Sequence, residues 1–152
     1  MTKVKKGLFA VAMAAALVVG SVEVIRASIV DKTHATVESK LDEIMEQLNG
    51  TARKLEKTIG AAEGAKEAAA ALAKMQGLAI EAKGLEPRSA ADVAADKKDA
   101  FLADFKKQLN KLITKLIEIE NLVLDGKPKD AEAAFKTLKP FTKESHGKFK
   151  KD

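Results

Sequence analysis

Residues 101–128 read FLADFKKQLNKLITKLIEIENLVLDGKP, and this stretch decides the fold class. Phe101, Phe105, Leu109, Leu112, Leu116, Ile119 and Val123 recur at steps of three and four, with Lys, Asn and Glu between them. That spacing puts these seven apolar side chains on one face of an α-helix, with charged residues on the opposite side. Asp125 and Gly126 end the pattern, since glycine readily takes the left-handed conformation that closes a helix. Pro128 then fits the first position of a following helix, where its missing N–H leaves nothing unsatisfied.

The same periodicity extends in both directions. Upstream, Val37, Leu41, Ile44, Leu48, Ala52, Leu55 and Ile59 predict a helix from Thr36 to Ile59, with Thr36 as cap and Glu38 in the first turn. Gly60 and Gly64 mark a turn, and AKEAAAALAKMQGLAIEAK opens a second helix with Leu72, Met75, Ala79 and Ala82 inward. Its Gly77 weakens it by roughly 1 kcal/mol relative to alanine. GLEPRSAADVAAD is the one long connection. There Gly84 is expected to cap the second helix and Pro87 to prevent its continuation, with a new start near Ser89 or Asp96. Downstream, Ala131, Phe135, Leu138, Phe141 or Thr142, Ser145 and Phe149 form the stripe of a fourth helix, which Pro140 is expected to kink. No segment alternates long enough to be a strand. Four helices joined mostly by short turns imply an all-α chain folded as an antiparallel up-down-up-down four-helix bundle.

The first residues have a different character. MTKVKK is basic, GLFAVAMAAALVVG is an uncharged run of fourteen residues, and SVEVIRA ends in alanine. The run falls short of the roughly 20 residues that cross a bilayer, so residues 1–27 read as a cleavable signal peptide and the chain as exported to the periplasm. The alternative is an uncleaved membrane anchor. Residues 28–152, about 125 of them, make one domain by size. The chain contains no cysteine. That excludes disulfides, Cys-based zinc sites, Cys nucleophiles and a CxxCH haem attachment, so an exported domain of this kind is held by packing or by packing plus a cofactor.

The formal net charge is +5, but residues 1–27 hold four of the basic residues against Glu23 alone. The remainder, near +2, has neither Trp nor Tyr and no basic stripe interleaved with aromatics, which argues against nucleic acid as a partner. Lys148, Lys150 and Lys151 suit the dipole at a helix C-terminus; a docking patch for an acidic partner is the second reading of them.

Met45 and His146 are the candidate functional residues. In an up-down-up-down bundle the first helix starts, and the fourth ends, at the same pole. A thioether and an imidazole facing each other there form one of the axial pairs that hold haem iron in electron-transfer cytochromes. Taken singly, each has a plainer reading, Met45 as core filler and His146 as a surface residue near a helix end. His34, just before the first helix, is an alternative ligand at the same pole or a solvated linker residue.

Three stretches, LDEIMEQLNGTARKLEK, ALAKMQGLAIEAKGLEP and DGKPKDAEAAFKTLKPFTKESHGKFK, resemble the cytochrome b562 family. The resemblance covers essentially the whole chain after the signal segment. It implies one haem b, non-covalently held, with Met45 and His146 as axial ligands to the iron. Leu41, Met45, Leu48 and Asn49 match the family's LxxxMxxLN stretch, and His146 follows Gly126 by twenty residues, as the family's histidine follows its glycine. By the same resemblance Leu48 and Met75 belong to the pocket, and Phe101 and Phe105 line the haem slot. The chain departs from the family at Pro140, Gly147, Thr142 and Ser145, all in the last helix, so ligation is tested there more than the fold is.

Function is then expected to be electron transfer by a small periplasmic protein, monomeric, with a redox partner the sequence does not name. With both axial positions filled by protein, no site is left open for a substrate. Two histidines, no cysteine and carboxylates scattered over charged helix faces assemble no catalytic nucleophile, so an enzyme is not expected. The alternative from another class is a haem-free exported bundle acting through its surface as an envelope-stress or adaptor protein.

Overall fold

The computed structural model describes residues 40–150. The expected signal peptide, residues 1–27, and His34, Thr36 and Val37 lie outside the described residues. Four helical stretches make up the fold, and no strand occurs among the described residues. They are α1 (residues 40–55), α2 (Ala65–Ala82), α3 (Ala95–Leu124) and a fourth divided into α4 (Pro128–Lys136) and α5 (Leu138–Phe149). Short 3-10 turns at Ala62–Gly64 and Arg88–Asp92 lead into α2 and α3.

The apolar stripes meet in one core. Leu41, Ile44, Leu48, Leu55 and Ile59 enter it from α1 and its following turn, and Phe105, Leu109, Leu116, Ile119 and Val123 enter from α3. α2 packs on α3, which also meets α4 and α5. Buried Ala68, Ala79 and Ala82 present little bulk on α2, and Gln76 Nε2 donates to Glu120 Oε2 of α3 at 2.7 Å. Ile59, Leu72, Leu116 and Ile119 are the largest wholly buried side chains. Burying each contributes about 1.5–3 kcal/mol. No polar side chain is buried among the described residues, so the core carries no unpaired polar group.

The turns follow from local chemistry. Gly126 has φ +69°, Gly126 N–H donates to Val123 C=O at 3.1 Å, and Lys127 N–H donates to Leu122 C=O at 2.9 Å. This double closure satisfies the last carbonyls of α3 and requires the left-handed glycine. Pro128 stands in the first turn of α4. Gly84 differs from expectation: Gly126 is the only described glycine with positive φ, and α2 ends at Lys83 in right-handed geometry.

The interruption of the fourth helix falls at Thr137, three residues before Pro140. A proline lacks the N–H that would reach the carbonyl four residues back, and its ring crowds that carbonyl, here Lys136. The chain gives way just after Lys136. Thr137 compensates by bonding Ala134 C=O twice, from its N–H at 3.1 Å and its hydroxyl at 2.7 Å. Pro140 then lies in the first turn of α5, where a missing N–H is harmless.

Candidate functional site

One cleft of about 410 Å³ opens between α1, α3 and α5. Its α1 wall is Leu41, Asp42, Met45 and Asn49; its α3 wall is Phe105, Gln108, Leu109 and Leu112. α5 adds Phe141, Thr142, Ser145, His146 and Phe149, and Pro87, Arg88 and Lys150 complete the rim. Each helix contributes residues three or four apart, so a single stripe per helix builds the lining. A largely apolar cleft of this size with a few convergent polar groups has the character of a small-molecule or cofactor site.

Met45 and His146 line this cleft together. Met45 is half-buried, whereas His146 is exposed, and no described residue hydrogen-bonds its ring. Of the other expected site residues, Phe105 also lines the cleft. Phe101 does not; it is half-buried behind, with its ring 5.3 Å from that of Phe149. Leu48 and Met75 sit in the core outside the lining, 6% and 4% exposed.

Phe149 is the site residue that sequence reasoning placed only in the core. Its ring lies 5.4 Å from Phe105 and 5.3 Å from Phe101, forming a tilted and edge-on cluster that closes one side of the cleft. Such pairs add about 0.5–1.5 kcal/mol beyond the area they bury. The available signal was its position three residues after His146, which puts both on neighbouring tracks of α5. Lys148 Nζ stands 5.3 Å from the same ring centroid.

Polar bonds brace the walls. Ser89 Oγ donates to Phe149 C=O at 2.7 Å, tying the 3-10 turn to the end of α5. Gln108 Nε2 donates to Ser145 Oγ at 3.0 Å, and that hydroxyl donates to Phe141 C=O at 2.8 Å. Arg88 and Asp42 pair at 2.7 Å across the rim, but both are more than half exposed, so the pair orients the rim more than it stabilises the fold. Outside the rim, Lys148 bonds Asp104 at 2.9 Å, and that bond with its charge holds the Asp104 carboxyl below its ordinary pKa.

The donor set fits haem better than a bare ion. Among the described residues no three His, Cys, Asp or Glu side chains converge as metal ligands. Haem brings its own four ring nitrogens and asks the protein for at most two axial donors, for which a thioether and an imidazole serve. Comparison with curated proteins gives no match. The family model for cytochrome b562 matches residues 40–150, a span that holds all four helical stretches, both candidate ligands and every residue lining the cleft. The chain belongs to the cytochrome b562 family.

Proposed function

We propose that this chain is an electron-transfer protein holding one non-covalent haem b in the cleft, with Met45 and His146 as axial ligands. The observation that carries the reading is that these two residues, from α1 and α5, line one apolar cleft. Family membership supports haem binding and electron carriage; the ligand pair rests on the cleft. The arrangement behind it is an antiparallel up-down-up-down bundle, which accounts for a residue near the start of α1 and one near the end of α5 sharing a site. We place the protein in the periplasm as a monomer, after removal of residues 1–27.

Bound haem supplies a one-electron couple. The protein's share is to hold and tune it. Leu41, Leu109, Leu112 and Phe105 line the cleft and would keep water from a group held there, and a drier shell raises the cost of extra charge on such a group. Arg88 and Lys150 on the cleft wall offer counter-charges for carboxylate substituents. Were Met45 and His146 both to bind the iron, no position would remain open, which would favour electron transfer over oxygen chemistry.

The test is a haem titration followed by absorption. The expected result is one haem per chain, sharp low-spin bands on reduction, and complete extraction of haem by acid acetone, since no cysteine is present to bond it. Met45→Ala is expected to give a high-spin spectrum. A chain that takes up no haem, or whose spectrum is unchanged in both Met45→Ala and His146→Ala, would instead favour a haem-free bundle acting through its surface.

A further inference from the structure

The lysines of this chain are not evenly spread. Residues 104–115 and 139–150 carry eight lysines against two carboxylates, Asp104 and Glu144, while the other described residues carry slightly more carboxylates than cations. Helix geometry gathers the lysines of α3: Lys107, Lys111 and Lys115 follow at steps of four on one row, with Lys148 of α5 beside them through its bond to Asp104. Asp104 is already engaged by Lys148 and, at 3.7 Å, by Lys107. Lys111, Lys115 and Lys150 have no carboxylate partner among the described residues.

The position of this charge matters more than its amount. Lys107, Lys111 and Lys148, against Asp104 and Glu144, line a surface depression together with Gln108, Ser145 and Phe149. Those three residues also wall the cleft that contains Met45 and His146. The basic depression and the cleft therefore stand back to back, one layer of side chains apart, and Lys150 continues the positive charge to the cleft's own rim.

We propose that this face docks an acidic protein surface and is where the partner that exchanges electrons with the chain binds. Its role in electron exchange rests on the haem reading above; the docking does not. Transient redox encounters bury less than about 1,200 Å² and depend on complementary charge for rate and orientation, which a cationic face beside the redox centre supplies. A lipid surface fits less well. Helices that lie in a membrane interface need large exposed apolar side chains, and those exposed among the described residues, Ile80, Ile117 and Leu124, lie outside both basic segments.

The experiment maps backbone amide shifts of the haem-free chain on addition of poly-L-glutamate at low salt. Shifts are expected in residues 104–115 and 139–150, vanishing near 1 M salt, where screening reaches about 3 Å. The triple variant Lys107→Glu, Lys111→Glu, Lys148→Glu is expected to weaken binding about tenfold or more. A control of equal charge change, Lys54→Glu, Lys57→Glu, Lys66→Glu, is expected to change it little. Shifts spread over the whole surface, an equal loss in the control, or binding to phosphatidylglycerol vesicles without binding to poly-L-glutamate would overturn the proposal. Since no haem is needed, failure of the haem reading leaves this result standing. In the haem-loaded chain the triple variant is expected to slow oxidation by ferricyanide, a small anion, at low salt without altering the absorption spectrum. An unchanged rate would show that the face does not steer electron exchange.

Discussion

The core around Leu116 and Ile119 and the cleft around Met45 and His146 share α3 and are packed differently. At Leu116 the side chain is wholly buried and Ile119, Ile59 and Leu72 are within 2% of it. Around the cleft, Met45 and Phe141 are half-buried, His146 is exposed, and the helix that carries His146 has been broken and restarted at Thr137. Close packing is where the bundle gains its stability, and it leaves no room for a ligand. On the proposed reading, the cleft leaves open the packing that a bound haem would supply.

The sharpest way to break this comparison is to cut into the closed region. Leu116→Ala is expected to lose about 2–5 kcal/mol in chemical denaturation, with or without haem, because the surrounding core can collapse only partly into the space. Met45→Ala, at the half-buried cleft wall, is expected to cost the haem-free chain much less. Equal losses at both sites would mean the two regions are equally packed.

Haem should then erase much of the difference. A ligand that binds only the native state at a hundred times its dissociation constant adds about 2.7 kcal/mol. Hydrogen exchange is expected to show amides around Ser145 to Phe149 gaining protection with haem, while those from Leu116 to Val123 change little. Uniform protection along the chain would remove the distinction between the regions.

A turn outside the cleft gives a smaller effect. Gly126→Ala forces a Cβ into φ +69° and is expected to cost about 1 kcal/mol, without altering haem affinity. The smallest effect concerns Asp104. Its folded pKa is lowered by the Lys148 bond and charge, so its contribution is present above the unfolded carboxylate value and is lost as pH falls through the folded one. Asp104→Asn is therefore expected to lower stability slightly at neutral pH and to leave it unchanged at the acid extreme, where the wild-type contribution is already lost, so that the acid limb becomes slightly less steep.

Much of the closed region was legible in the sequence because periodicity and punctuation are local signals. The stripe of α3, its end at Gly126, the restart at Pro128 and the inward face of α2 all depend on residues within a turn or two of each other. The cleft was legible only in its two donors and Phe105. Pro87, Arg88 and Phe141 line it because separate segments converge, and no spacing within one helix announces that. Pro140 announced a disruption but not its place, since a proline's missing bond and its steric clash both fall on the carbonyl four residues earlier. Phe101 was expected in the slot on family resemblance; it is not among the residues lining the cleft and packs against Phe149, whose ring also meets Phe105.

Whether Met45 and His146 hold haem iron in this cleft can be read from methyl NMR of methionine-labelled protein in the reduced, haem-loaded state. A methionine bound to iron lies over the porphyrin face, where ring current shifts its methyl signal strongly upfield. Met45 is expected to show that shift, and Met75, buried in the core at 4% exposure and outside the cleft lining, to move little. In His146→Ala the spectrum is expected to show that the histidine's axial position has been lost. A Met45 methyl that stays at its haem-free position while haem is bound would contradict the account.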